Sequence, residues 1–267
     1  MSIPIVFIHR GNNVEEYLEC NIQQAAKENH VIVISDNPGY GRFAEFHDIN
    51  VYMDYADLFN SCYENLSTQG EYERFCFLRW FILHSFMSRN NIPVCFYLDS
   101  DVMFFSDTAT EFTKFQQFDM TILHRCSPSS IMMTMHGLTD FCSFVFDTYK
   151  QRGFDFDRIA SLYTVMQRHN RFGGVCDMTL FEYYARFKNP SGVGEAMFIY
   201  DNSTYDHSIN QSDRYFEMAN GIKNIRWQQG KPYCLQISTN NIIRFVCLHF
   251  QGQSKSLVKN IFDSLQI

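Results

Sequence analysis

The run Val94-Cys-Phe-Tyr-Leu98, followed by Asp99-Ser-Asp101 and then by apolar Val102 to Phe105, constrains this chain more than any other stretch. A short apolar run without a charge reads as a buried strand. Burying one unpaired carboxylate is costly, and burying two side by side is worse. The aspartate pair therefore belongs where the strand leaves the core, at a sheet edge that faces a cleft. It needs a counter-charge there, and a divalent cation suits it because hard cations take carboxylate oxygens. The plain alternative is two solvated aspartates in a turn.

The N-terminal part gives that strand its setting. Ile3 to Ile8 reads as a strand, His9-Arg-Gly-Asn-Asn13 as a turn, and Val14 to Asn29 as a helix capped by Asn12 or Asn13. Val31 to Ser35 reads as a second strand, closed by the turn signal Asp36-Asn-Pro-Gly39. Strand, helix, strand at this spacing is a βαβ unit with parallel strands and a right-handed crossover. Ligands of such sheets bind beyond the C-terminal strand ends, which places His9, Arg10 and Asp36 at a cleft rim.

Further along, Asn50 to Met53 is expected as another short strand. Thr68-Gln-Gly-Glu71 has the pattern of a capping box ahead of a helix over Tyr72 to Arg89. Arg79 interrupts the large apolar residues of that helix. It is either a snorkelling surface arginine or one that reaches the cleft and binds an anion. Asp119 to Leu123 reads as a strand, and Leu138 to Gln151 and Arg158 to Arg168 as helices. The turn Gly173 to Thr179 leads into a helix, which puts Asp177 near its N-terminus, where a carboxylate is favourable. Capping alone is a sufficient account of it. Ile242 to Leu248 is expected as the last strand, running into His249-Phe-Gln-Gly252-Gln-Ser-Lys255 and a final helix.

Bulk properties narrow the function. At 267 residues with a net charge of -7 and no run of lysines or arginines, nucleic acid is not an expected partner. No segment has the length of a membrane span, and the start lacks a basic n-region, so neither a transmembrane segment nor a signal peptide is expected. The nine cysteines are scattered without CxxC spacing, which points to free thiols and a cytoplasmic location. No linker divides the chain. A single domain over 1–267 is expected, with a nucleotide-binding half to about residue 125 and an acceptor half over 126–267.

Two carboxylates beyond one strand and an imidazole beyond another make a plausible Mn²⁺ set. Gly252 lets the backbone approach a ligand, and Lys255 near a helix start would meet a phosphate. Together they describe a metal-bridged diphosphate. Taken singly, His249 is more often a core histidine and Lys255 a surface lysine.

The pair Phe96-Tyr-Leu-Asp-Ser-Asp-Val102 and His249-Phe-Gln-Gly-Gln-Ser-Lys255 resembles the nucleotide-sugar glycosyltransferases of the GT-A fold, in particular family 8 and its relatives. The resemblance implies an α/β fold with a Rossmann-like mixed sheet flanked by helices. It implies Asp101 and His249 as ligands of Mn²⁺ (or Mg²⁺), Asp99 on the metal, the ribose or both, and Gly252 and Lys255 on the diphosphate. His9 and Asp36 would meet the base and ribose, and Arg79 the donor. Asp177 looks like the acidic residue that grips the donor sugar, and it would be the general base if the enzyme inverted. The implied activity is hexosyl transfer from a UDP-sugar to a hydroxyl acceptor, with retention. The acceptor, be it glycan, lipid-linked or protein, and the oligomeric state stay open. The Pro-Trp that follows the lysine in that family is replaced by Ser256-Leu257. The rival readings are a haloacid-dehalogenase-like phosphatase with Asp99 as nucleophile, and a non-catalytic sugar-binding relative.

Overall fold

Strands that are apolar on both faces need helices on both sides of their sheet. All five residues of Val31–Ser35 and of Val94–Leu98 are buried. The computed structural model describes residues 3–266. Its first part runs β1 (Ile5–His9), α1 (Glu16–Ala25), β2 (Val31–Ser35), β3 (Glu45–Asp48), α2 (Met53–Asn60), α3 (Gly70–Arg89) and β4 (Val94–Leu98). Next come β5 (Val102–Phe104), α4 (Thr108–Phe115), β6 (Met120–Ile122), β7 (Ser130–Thr134), α5 (Met135–Gln151), α6 (Phe154–Arg168) and α7 (Asp177–Phe187). The last part holds β8 (Val193–Glu195), β9 (Ser203–Thr204), β10 (Met218–Ala219), β11 (Ile222–Lys223), β12 (Arg226–Gln228), β13 (Lys231–Gln236), β14 (Asn241–Phe245), β15 (Cys247–His249) and α8 (Val258–Ser264).

The main sheet has seven strands in the order β3-β2-β1-β4-β7-β6-β8. β1 is parallel to β2 and β4, β2 to β3, and β6 to β8, while β7 is antiparallel to both its neighbours. The fold is thus α/β with a mixed, Rossmann-like sheet flanked by helices, as expected. One apolar core packs α2, α3, α5 and α7 on one face, and a second packs α1 and α4 on the other. A third joins β14, β15 and α8. β1, β2, β4, β6 and β8 all run the same way, so their C-terminal ends share one edge of the sheet.

Several local expectations fail for identifiable reasons. Residues 49–52 form a 3₁₀ turn, and the neighbouring Glu45–Asp48 takes the edge position. The capping box is not made: α3 starts after Gln69 with no side-chain cap, because Thr68 bonds Gly173 instead. Asn12 and Asn13 do not cap α1, which starts after Glu15. The expected last strand splits at Val246, and its halves join different sheets: β14 pairs β13, and β15 pairs β5. The final helix opens with a 3₁₀ stretch, Gly252–Leu257. All nine cysteines are free thiols. Among the described residues, no helix is long and apolar enough to cross a membrane.

Candidate active site

After Leu98 the chain makes a tight turn, with Val102 N donating to Asp99 O at 3.0 Å, and folds back as β5. β5 pairs antiparallel with β15 in a register that sets Val102 opposite His249. Phe250 N then donates to Asp101 O at 2.9 Å. The split of the expected last strand thereby brings two motifs far apart in sequence together. Asp99, Asp101 and His249 each offer one ligand atom within 4.8 Å of the others. His249 Nε2 lies 3.2 Å from Asp101 Oδ1, and Lys255 Nζ lies 3.2 Å from Asp101 Oδ2. Lys255 also sits over the Tyr17 ring at 5.0 Å.

The imidazole is held from behind. Its Nδ1 donates to His207 O at 2.6 Å, a carbonyl that can only accept, which leaves Nε2 facing the carboxylates. His249 N donates to Asp206 Oδ2 at 3.0 Å, and Asp206 Oδ1 accepts from the buried Lys223 Nζ at 2.8 Å. Burial opposes charge on His249, but the hydrogen bond and charge of Asp101, with the charge of Asp99, outweigh it and push the imidazole up to about 9. Two carboxylate groups and an imidazole braced by a carbonyl are a donor set that fits Mn²⁺ or Mg²⁺.

The other aspartate has different company. Asp99 Oδ1 accepts from Arg79 at 2.6 Å and from the Tyr97 hydroxyl at 2.8 Å. The same guanidinium reaches Asp177 Oδ2 at 2.7 Å, and Trp80 Nε1 donates to that oxygen at 3.0 Å. Asp177 Oδ1 accepts from Met178 N at 2.8 Å, at the start of α7. Arg79 is thus not a surface arginine: it reaches the site, where it ties two carboxylates from distant parts of the chain. The loop that delivers Asp177 is fixed by Gly174, where a Cβ would stand 2.2 Å from Leu66 O, so only glycine permits the approach.

The remaining expected residues lie around this cluster. Asp36 is at the rim, accepting from Gly11 N at 2.9 Å, and it lines a hollow of only about 50 Å³ with Arg10, Asn50 and Phe75. His9 packs edge-on against Tyr40, and its basicity is lowered by burial, with the charge of Lys255 adding to the effect. Gly252 opens the turn toward Lys255 with a φ of +64°, a left-handed conformation that favours glycine; a Cβ there would meet nothing within 4 Å.

Tyr97, Trp80, Asp206, His207 and Lys223 escaped the sequence reading. Tyr97 had a signal: it lies two residues before Asp99, which shares its side of an extended chain. Lys223 had none, since nothing local predicts a fully buried lysine.

No protein-family model matches the chain, and no curated protein matches it by sequence. Among solved structures it is similar to mouse xyloside xylosyltransferase 1 in its apo form, with 11% identity, covering 76% of this chain and 88% of that one, at a TM-score of 0.48. It is similar to the apo structure of the bifunctional glycosyltransferase WbbM, with 10% identity, covering 99% of this chain and 49% of that one, at a TM-score of 0.48. It is also similar to a glycosyltransferase involved in glycosylation of the major capsid of PBCV-1, with 10% identity over 100% of both chains and a TM-score of 0.45. At identities this low no residue of one chain maps onto another, so the chemistry has to come from the site's own geometry.

Proposed function

We propose that this chain is a divalent-metal-dependent glycosyltransferase that moves a hexose from a UDP-sugar to a hydroxyl acceptor. The observation that carries the reading is the convergence of Asp99, Asp101 and His249, with Lys255 against Asp101, at the sheet edge where the strands end. The cation, Mn²⁺ or Mg²⁺, would be held by Asp101 and His249 with Asp99 beside them, and would stabilise the charge of the departing diphosphate. Lys255, whose side chain is 37% exposed, has the reach to turn from Asp101 to a phosphate oxygen. His9 and Asp36 at the rim would face the nucleoside.

The acceptor oxygen bonds the anomeric carbon as the bond from that carbon to the diphosphate oxygen breaks, and the electron pair leaves with the diphosphate. Under retention the acceptor proton goes to the departing phosphate. Asp177 would take it under inversion, but its oxygens already accept from Arg79, Trp80 and Met178, and its side chain is 4% exposed. This engagement favours retention and gives Asp177 the task of holding Arg79. The phosphatase reading is not favoured, since Asp99 Oδ1, as nucleophile, would have to leave Arg79 and Tyr97.

The test combines thermal shift with donor hydrolysis. UDP and Mn²⁺ together should raise the melting temperature more than either alone, and Asp101→Ala should abolish both that shift and hydrolysis of a UDP-sugar. A variant as active as the parent, or no donor cleaved by either protein, overturns the reading.

A further inference from the structure

The sheet edge that carries the aspartates also carries a second feature. β6 and β8 run in the same direction as β4, so His124 and Glu195, at their C-terminal ends, lie on the same edge as Asp99. There a hollow of about 450 Å³ is lined by His124, Arg125, Glu195, Met197, Phe198 and Arg214. It adjoins the candidate active site through one layer of side chain. The His124 ring stacks on His207 at 5.1 Å and 17°, and His207 O accepts from His249 Nδ1.

The charge in this hollow is unbalanced. Glu195 is its one carboxylate, and that group is spent on backbone: Oε1 accepts from His124 N and Met197 N, both at 3.1 Å, and Oε2 from Arg125 N at 2.8 Å. Arg214 donates to Met197 O at 3.1 Å and lies over the Phe198 ring at 5.0 Å. Its neighbour Asp213 is drawn to Lys223. Among the described residues, no ion pair engages Arg125 or Arg214, in a protein whose net charge is -7. Two guanidinium groups that no carboxylate engages are a receptor for a carboxylate or phosphate. Phe198, half exposed, gives the same hollow an aromatic wall on which a sugar face can rest. The loops themselves are held in an uncommon conformation: His124, Arg125 and Arg214 are all left-handed, with φ of 51°, 67° and 56°. Backbone of this kind persists where surrounding contacts fix it: Glu195 supplies them for His124 and Arg125, and Gln236, whose Nε2 donates to Arg214 O at 3.1 Å, for Arg214.

We infer that this hollow seats the acceptor, and that the acceptor is anionic: a saccharide or polyol bearing a carboxylate or a phosphate, held by Arg125 and Arg214. The inference rests on the glycosyl-transfer reading for the word acceptor, while anion binding itself does not depend on the donor. The test measures binding of three probes by titration calorimetry: 4-nitrophenyl β-D-glucuronide, its neutral counterpart 4-nitrophenyl β-D-glucoside, and glucose 6-phosphate. At least one anionic probe should bind roughly tenfold or more tighter than the neutral glucoside, and which one does identifies the anion. Arg125→Gln with Arg214→Gln should remove that preference. The doubly substituted protein should keep its neutral-probe affinity and its thermal shift with UDP and Mn²⁺. Arg214→Lys, which keeps the charge and a donor for Met197 O, guards against a loss due to misfolding and should retain most of the preference. Equal affinity for neutral and anionic probes, or an unchanged preference in the double variant, overturns the inference. Anion binding without any UDP and Mn²⁺ response would leave the anion-binding hollow standing and remove the donor reading instead.

Discussion

Asp99 and Asp101 stand two residues apart and live in opposite settings. Burial pushes Asp99 above the usual carboxylate range; Arg79 pulls it down by less, and the negative charge of Asp101 adds to the push. Burial acts on Asp101 too, but there the hydrogen bond and charge of His249, with Lys255, prevail and hold it below the usual range. Two like charges this close cannot both be carried cheaply in a dry site, and the surroundings separate them. Geometry adds a second contrast. The partners of Asp99 are rigid: Arg79 is braced on Asp177, and Tyr97 sits in a fully buried strand. One partner of Asp101 is a half-exposed lysine on a 3₁₀ turn, free to leave. The Asp99 side is therefore an anchor, and under the proposed function the Asp101 side is where ligands would exchange.

The largest expected effect breaks the anchor. Arg79→Ala leaves Asp99 and Asp177 without their shared cation, and removing one member of a buried ionic network costs about 3–5 kcal/mol. Urea denaturation at neutral pH should register a loss of that size; a loss under about 1 kcal/mol would mean that Arg79 is not the anchor. Next comes the exchange side. Asp101→Asn should weaken Mn²⁺ binding by roughly 100-fold or more, about 2.8 kcal/mol, in a metal titration. Asp99→Asn should weaken it less, because Asp99 already shares its oxygen with Arg79 and Tyr97. The reverse order would exchange the roles of the two aspartates.

The same division separates what could be read in the sequence from what could not. The βαβ start and the aspartates at a strand end follow from apolar runs and turn residues, which are local signals, whereas the late His249 motif is joined to them by the chemistry of its residues and by the family resemblance, not by any mark of the β5–β15 pairing. Asp101 and His249 could be picked out because they stand at or just past the ends of apolar runs, and Lys255 because it follows Gly252 six residues after His249. The clamp was not. Arg79 could be seen in the middle of a helix, but its two partners lie 20 and 98 residues away, and only packing of α3 against β4 and α7 brings them together. The buried Lys223 that braces Asp206 is likewise a product of tertiary structure. The split at Val246 was missed because an unbroken apolar run carries no mark of which sheet each half will join.

Titration tests the anchor side without touching the cluster. Glu73 lies on α3, and its carboxyl is pushed up to about 7 by burial and by the charge of Asp177, against the pull of Arg79. The unfolded chain gives up this proton near pH 4.5, whereas the folded chain holds it to about 7. Between those values the folded state binds more protons, so this group lowers stability as pH rises, and its full cost is present above about 7. Glu73→Gln should flatten that decline in denaturation midpoints measured across the interval. An unchanged slope would show that Glu73 is solvated and that the anchor's electrostatics stop short of it.

The smallest effect concerns one hydroxyl. Tyr97→Phe removes the 2.8 Å bond to Asp99 and leaves the ring against Trp80, at 4.7 Å between centroids. Arg79 remains on Asp99, so no buried charge loses its counter-ion. The cost should be that of one hydrogen bond to a charged group, about 1.5–3 kcal/mol at most, and nearer 1 kcal/mol because Arg79 NH1, which also donates to the Tyr97 oxygen, keeps its carboxylate. Affinity for Mn²⁺ should stay within about threefold, a difference under 1 kcal/mol, since the hydroxyl makes no contact with Asp101 or His249. A large loss of metal affinity with little loss of stability would erase the distinction between the two aspartates. It would mean that the anchor sets the position of the exchanging side, with Tyr97 as the link.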